Sequence, residues 1–361
     1  VAAILIIIIF GGQMSGSTIN IVTEVASVVS MATYQSSPQM IDEADLQMSY
    51  KELMLRAEID EIEENYPDYD EYSYTIGAIG HDPFTLINFL HAQFGTINDE
   101  AMNYIDTLFD MMYELKLTSV QETRIRLVPK PPEEEEDEEE DSDEEEDSEE
   151  DESEEDDPGD TSEDEGEEDE EEDQEPEYIE EEYTVNILKV ELNSRSLEGI
   201  VTGLIEGDPT RKAIYNILNK SHGLTQYIGS PVFYTWSVES YYGYRRNPLG
   251  DYPELHRGLD IALPFGTSVN SAIEGFVKEI GDDPMYGDYI VISDEIGHYT
   301  VKYANMSSIS VIVDERVFRG QKVGFSGRGG SEPDCLHMEF LVNGSYYNPL
   351  FYTENPRPET G

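Results

Sequence analysis

Residues 133–182 hold 38 of the 80 acidic residues of this 361-residue chain and not one Lys or Arg. A run of like charge repels itself and has almost nothing apolar to bury, so the stretch is expected to be a disordered loop. The rest of the chain must fold around it. With a formal net charge of −59, the composition also excludes a nucleic-acid partner, because phosphate recognition needs basic patches.

The single cysteine, Cys335, rules out an intrachain disulfide and a cysteine-rich zinc knuckle, and leaves the compartment open. Residues 1–10 read Val-Ala-Ala-Ile-Leu-Ile-Ile-Ile-Ile-Phe without interruption. Ten residues cannot span a bilayer, which takes about 20. The run is therefore expected to be the end of a membrane-spanning helix that starts before this sequence, covering 1–12 and followed by a stalk at 13–40. It carries no flanking charges to fix its orientation.

From residue 41 the pattern turns helical. Leu46, Tyr50, Leu53 and Ala57 recur at helical spacing and predict one buried face. A second helix is expected from Asp82-Pro83 to about Ala92. A third is expected to be capped by Asn98, with Ile105, Leu108, Met112 and Leu115 as its buried stripe. Alternating β-branched runs at 116–128 and 183–192 predict a hairpin with the acidic block inserted at its tip, which costs little because loop-closure entropy grows slowly with length. Helices at about 196–205 and 209–220 complete a mainly helical α+β domain made of 41–132 and 183–222. His81, His91 and His222 have no partners at ligand spacing and read as structural or exposed. Residues 223–361 turn to Gly, Tyr and short alternating runs, which predicts an all-β domain with strands near 275–279, 289–293, 299–303 and 336–341. The chain is thus expected to be multidomain.

Two segments of that last domain can hold a metal. His256-Arg257-Gly258-Leu259-Asp260 supplies an imidazole and a carboxylate with three residues between them, and Cys335-Leu336-His337-Met338-Glu339 supplies a second imidazole. His256, Asp260 and His337 make the three-ligand set of a catalytic zinc site that keeps one position for water. If 335–339 is a strand, Cys335, His337 and Glu339 share a face. Cys335 would then lie beside the metal and Glu339 would orient a ligand.

The surrounding motifs resemble the lysostaphin or LytM type of zinc endopeptidase. They are Tyr242-Gly243-Tyr244-Arg245-Arg246-Asn247-Pro248, the His256 to Asp260 segment, Pro264-Phe265-Gly266-Thr267-Ser268-Val269, Tyr303-Ala304-Asn305, Gly320-Gln321-Lys322-Val323-Gly324 and Leu336-His337-Met338-Glu339-Phe340, in family order across 229–350. The resemblance implies a small β-fold with a groove and Zn2+ held by His256, Asp260 and His337. Its water would attack a cross-bridge or stem peptide of peptidoglycan, with two further histidines moving protons and stabilising the oxyanion. At those two positions this chain has Asn305 and Cys335. Losing one general acid or base typically costs about 10² to 10⁴ in rate. Two outcomes are open: a Cys335 thiolate fills the fourth coordination position, or Cys335 stays off the metal while Asn305 donates to the oxyanion. His298 is expected at a hairpin turn in water, unable to substitute.

The order of anchor, helical domain and terminal hydrolase-like domain is similar to that of membrane-anchored wall-remodelling proteins of Gram-positive conjugative elements. A segment at 74–84, expected to be helical, shares the resemblance. It implies a bacterial membrane protein with its domains on the outer, cell-wall side, working near a conjugation channel. Two functions follow: a peptidoglycan metallopeptidase, or a degenerate zinc-binding module that binds wall peptides or regulates a partner hydrolase. The acidic loop could collect divalent cations or act as an electrostatic spacer.

Overall fold

The computed structural model describes residues 29–130, 178–246, 253–328 and 334–354. The expected membrane helix, most of the stalk and all but the last residues of the acidic block lie outside the described residues. Among the described residues no helix is long and apolar enough to cross a membrane.

The helices begin where local chemistry supplies a cap. Helix α1 (Pro38–Asp60) starts with Pro38 in its first turn, and the Ser37 hydroxyl accepts from the Met40 amide. A short helix, α2 (Ile62–Asn65), and strand β1 (Glu71–Ile76) follow. Helix α3 (Pro83–Phe94) is capped by Asp82, whose Oδ1 accepts from the Thr85 amide at 2.7 Å. Asn98 caps α4 (Asp99–Met112) in the same way. Each such cap satisfies one of the N–H groups a helix start leaves without a partner. Helix α3 is buried from Pro83 to Ala92, its polar Thr85, Asn88 and His91 included. It packs against α1, α4, α5 (Leu197–Ile205) and α6 (Pro209–Ser221).

Several expectations need correction here. On α1, Leu53 and Ala57 are buried as expected and Leu46 is partly buried, but the buried face also takes in Ile41, Ala44, Asp45, Met48, Glu52, Leu55 and Ile59, and Tyr50 is exposed. Leu115 is not on α4, which stops at Met112, where strand β2 (Tyr113–Pro129) takes over. Segment 74–84 is not helical: Tyr74 to Ile76 end β1, and helix returns only at Pro83. Within the acidic stretch, the residues from Tyr178 on belong to strand β3 (Tyr178–Ser194) and not to a disordered loop. Tyr178 and Ile179 favour extended backbone, and pairing to β2 secures it. The three strands form a sheet in the order β1, β3, β2.

Two compact units divide the chain. The smaller contains Tyr69–Tyr72 and the described part of Ser119–Leu188. There Arg124 grips the Glu71 carboxylate with both terminal nitrogens, at 2.6 and 2.9 Å, and Arg126 Nε donates to Glu181 at 2.7 Å. The larger holds the described parts of Val1–Asp68, Ser73–Thr118 and Lys189–Gly361, so the helices and the C-terminal strands share one unit.

Within that unit the C-terminal strands build one large sheet. Its main order is β12 (Arg316–Val317), β9 (Gly275–Asp283), β10 (Gly287–Ser293), β11 (Tyr299–Ile309), β14 (Cys335–Val342), β7 (Leu259–Ala262) and β4 (Ser237–Ser240). Strand β13 (Lys322–Ser326) pairs with β11 and β8 (Ser268–Asn270), and β15 (Ser345–Tyr347) with β14. A separate ribbon pairs β5 (Gly243–Arg245) with β6 (Glu254–His256). One continuous core runs from Ile41 on α1 through Phe84 to Tyr303, Phe340 and Phe351. Phe351 belongs to the last helix, α7 (Pro349–Tyr352), and meets Phe84 edge-on at 5.3 Å.

Helix α1 also clamps the cap of α7. The Asn348 amide donates to Asp42 Oδ2 at 3.0 Å and its side-chain nitrogen to Asp45 Oδ2 at 2.9 Å. Asp45 Oδ1 meets His81 Nε2 at 3.0 Å, His81 Nδ1 meets Glu52 at 3.0 Å, and the Tyr113 hydroxyl donates to Glu52 at 2.8 Å. Burial disfavours charge on His81, but the Glu52 and Asp45 carboxylates outweigh it and carry its pKa to about 10. His81 is therefore a structural cation. His91 goes the other way: burial lowers its pKa to about 4.

Candidate metal centre

His256 ends β6, Asp260 follows on β7, and His337 lies on β14. Antiparallel pairing of β7 with β14 sets His337 directly opposite Asp260, which closes a gap in sequence of 77 residues. His337 Nδ1 is 2.8 Å from Asp260 Oδ1 and 3.2 Å from His256 Nε2, and His256 Nε2 is 3.4 Å from Asp260 Oδ2. Among the described residues this trio is the group of His, Cys, Asp and Glu side chains that could hold a metal ion, each offering one ligand atom within 4.8 Å of the others. Both histidines are buried.

The outer contacts decide which ring atoms face inward. His256 Nδ1 lies 2.7 Å from the Tyr241 carbonyl oxygen, which only accepts, so Nδ1 carries the proton and Nε2 turns its lone pair to the centre. His337 Nε2 reaches Glu339 Oε1 at 3.3 Å, which likewise directs Nδ1 inward. Two lone-pair nitrogens and a carboxylate oxygen this close repel one another unless a cation or proton sits among them. Burial alone would favour neutral forms. The pairing wins: Asp260 is held well below the usual carboxylate range by His256 and His337, and His337 is raised by Asp260 and Glu339 against its burial. The donor set, two imidazoles and one carboxylate with their outer atoms engaged, suits zinc.

Gly258 explains the close approach. A Cβ there would sit 2.6 Å from the Met338 carbonyl oxygen and 2.7 Å from Cε1 of the His337 ring.

Cys335 and Asn305 occupy each other. Asn305 is buried at a bulge of β11, where the register with β10 shifts, and has a φ of 62°, a conformation asparagine tolerates better than most residues. Its side-chain nitrogen donates to the Cys335 carbonyl oxygen and to Cys335 Sγ, each at 3.1 Å. Burial, with the Asp260 charge behind it, pushes the Cys335 thiol up to about 11. A neutral thiol is a poor ligand, and Cys335 is not in the metal-ligating group. In this geometry the thiol is paired with Asn305 and lies outside the trio. The Asn305 amide nitrogen is engaged with Cys335 in this geometry. Glu339 stands where the strand alternation puts it, against His337. His298 stays at the turn, its Nδ1 2.9 Å from Asn343 Oδ1.

Other residues at the centre were not read from the sequence as site residues. Tyr286, just before β10, stacks on the His337 ring at 4.1 Å and 17°. Lys302 lies 3.8 Å from Glu339 and over the Tyr286 and Tyr289 rings. Arg245 Nη1 donates to Asp260 Oδ2 at 3.2 Å and to Ser240 Oγ at 2.7 Å. Arg245 stood in a quoted motif, but nothing local indicates that its side chain crosses to Asp260.

Residues 254–349 match the family model described as Peptidase family M23, so this segment is a domain of the LytM and lysostaphin type. Among curated proteins, the peptidoglycan DD-endopeptidase ShyA of Vibrio cholerae is 34% identical over 122 residues, covering 33% of this chain and 28% of that protein. The DD-carboxypeptidase/endopeptidase Mpg of Neisseria meningitidis is 35% identical over 121 residues, covering 33% and 27%. The chain thus spans under a third of the length of these relatives. The solved catalytic domain of lysostaphin from Staphylococcus simulans is 28% identical, covering 32% of this chain and 90% of that domain, with a TM-score of 0.29.

Proposed function

We propose that this chain is a peptidoglycan-directed, zinc-binding protein of the M23 type in which hydrolysis is slow or absent. The observation that carries this reading is the Asn305 amide hydrogen-bonded to Cys335. The three metal-ligating side chains converge, while the two positions that should handle protons hold groups engaged with each other. Zinc held by His256, Asp260 and His337 would supply a Lewis acid that polarises a peptide carbonyl and lowers the pKa of water. His256 and His337 would keep their outer protons on Tyr241 and Glu339. Asn305 carries an amide that is no base near pH 7, and Cys335 carries a thiol that burial holds neutral, so neither is poised to accept a proton. The relatives named as peptidoglycan endopeptidases support wall peptides as the ligand.

In this reading the chain is tethered to the bacterial membrane by residues 1–12. Its folded parts stand on the wall side near a conjugation channel or partner hydrolase. The apolar run and the order of segments support that placement.

The test is zinc content together with peptidoglycan digestion by the full chain, with and without chelator. One bound zinc with no released peptide ends agrees with the proposal. Chelator-sensitive release at the rate of an ordinary hydrolase would refute impaired catalysis and favour the second reading, a working metallopeptidase. No zinc at all would refute both.

A further inference from the structure

The short β5–β6 ribbon reaches two of the three metal-ligating residues from outside. Tyr241, just before β5, gives its carbonyl oxygen to His256 Nδ1, and Arg245, at the end of β5, gives Nη1 to Asp260 Oδ2. The guanidinium is wedged among Ser240 Oγ at 2.7 Å, Asp260 Oδ2 at 3.2 Å and Glu254 Oε2 at 3.7 Å. A lone two-stranded ribbon is marginal by itself, and β5 is no part of the large sheet.

What braces it is helix α1. The Ser49 hydroxyl donates to the Leu46 carbonyl and accepts from the Tyr244 amide at 3.2 Å. Gly243 has a φ of +133° and no room for a side chain, since a Cβ would lie 2.8 Å from Ser49 Oγ. Tyr50 meets Tyr244 edge-on at 5.2 Å, and Arg246 donates to Asp60 at 3.1 Å. The helix thus grips β5 along its length, while a cavity of about 480 Å³ lined by Glu52, Arg56, His81 and the Tyr241 to Arg246 segment lies beside it.

We propose that Arg245 is a positioning residue for Asp260 and that helix α1, through Ser49, holds it in register, so that the helical segment controls metal affinity. The inference rests on the metal-binding reading of the trio and not on peptide hydrolysis. Electrostatics gives it a sign that can be checked. A nearby guanidinium repels a divalent cation, so if Arg245 acted only by its charge, removing it would tighten zinc binding. If it acts by fixing the Asp260 carboxylate, removing it weakens binding. Outer partners of metal ligands are typically worth about 10- to 100-fold in affinity.

The experiment measures zinc affinity of the full chain by chelator competition, the visible spectrum of its cobalt(II) form, and metal-free melting in chelator. It compares wild type with Arg245→Gln, Arg245→Lys and Ser49→Val. Expected are weaker zinc binding by about tenfold or more and a shifted cobalt band in Arg245→Gln, partial recovery in Arg245→Lys, and the same direction of change in Ser49→Val. Metal-free melting should stay near wild type in the lysine variant. Unchanged or tighter zinc binding in Arg245→Gln overturns the positioning role. An affinity loss in Arg245→Gln with none in a folded Ser49→Val overturns the control by α1. A wild-type chain that binds no zinc defeats the metal reading itself, a separate result.

Discussion

The side-chain nitrogen of Asn305 lies 3.1 Å from both the carbonyl oxygen and the sulfur of Cys335, so the two replaced positions form one polar contact beside the metal-ligating trio. It stabilises the bulge of β11 against the start of β14. It also removes the groups that would accept and return protons.

Cys335→His combined with Asn305→His should restore those groups. Peptide release from peptidoglycan is expected to rise by about 10² or more, with zinc content unchanged. The left-handed backbone at Asn305 is also among those histidine adopts. Chromatography of released ends is the measurement. No rise in a folded, zinc-loaded double variant would discard the catalytic-defect explanation.

Gly258→Ala should damage the centre without replacing a ligand, because the new methyl group would press on the Met338 carbonyl and the His337 ring. Zinc affinity is expected to fall by about tenfold or more, as for disturbed outer contacts. Competition with a chelating dye reads this directly.

Metal removal should lower stability as well as any activity. At free zinc about 1,000 times the Kd, the folded state gains about 4 kcal/mol, and chelator should lower the melting temperature accordingly. His337→Ala should abolish that difference while leaving a folded chain.

His81 and His91 should give stability opposite pH dependences. His81 has a folded pKa of about 10, above the usual value near 6.5. Its contribution is fully present below pH 6.5 and is lost as pH rises through 10. His91 has a folded pKa of about 4, so stability is lost as pH falls from 6.5 through 4. Urea unfolding across pH, in wild type, His81→Gln and His91→Gln, should assign each slope. Breaking the buried Asp45–His81–Glu52 set by His81→Leu should cost about 3–5 kcal/mol at pH 7.

Locally encoded features were legible in the sequence. Asp82-Pro83 and Asn98 announce helix starts because a cap needs only a side chain and amides two or three residues on. The 335–339 alternation puts His337 and Glu339 on one face because strand period alone decides it. The identities of the trio could be read for the same reason, since His256 and Asp260 are close in sequence and His337 lies in its own motif. What only the tertiary structure decided depends on register and packing. β1 joins β3. Leu115 leaves α4 for a strand. The amide of Asn305 turns to Cys335, α1 packs on β5 through Ser49, and Arg245 reaches Asp260. These contacts join residues up to 195 positions apart, as Ser49 and Tyr244 are. No local pattern carries them, because their geometry is set by how whole elements pack.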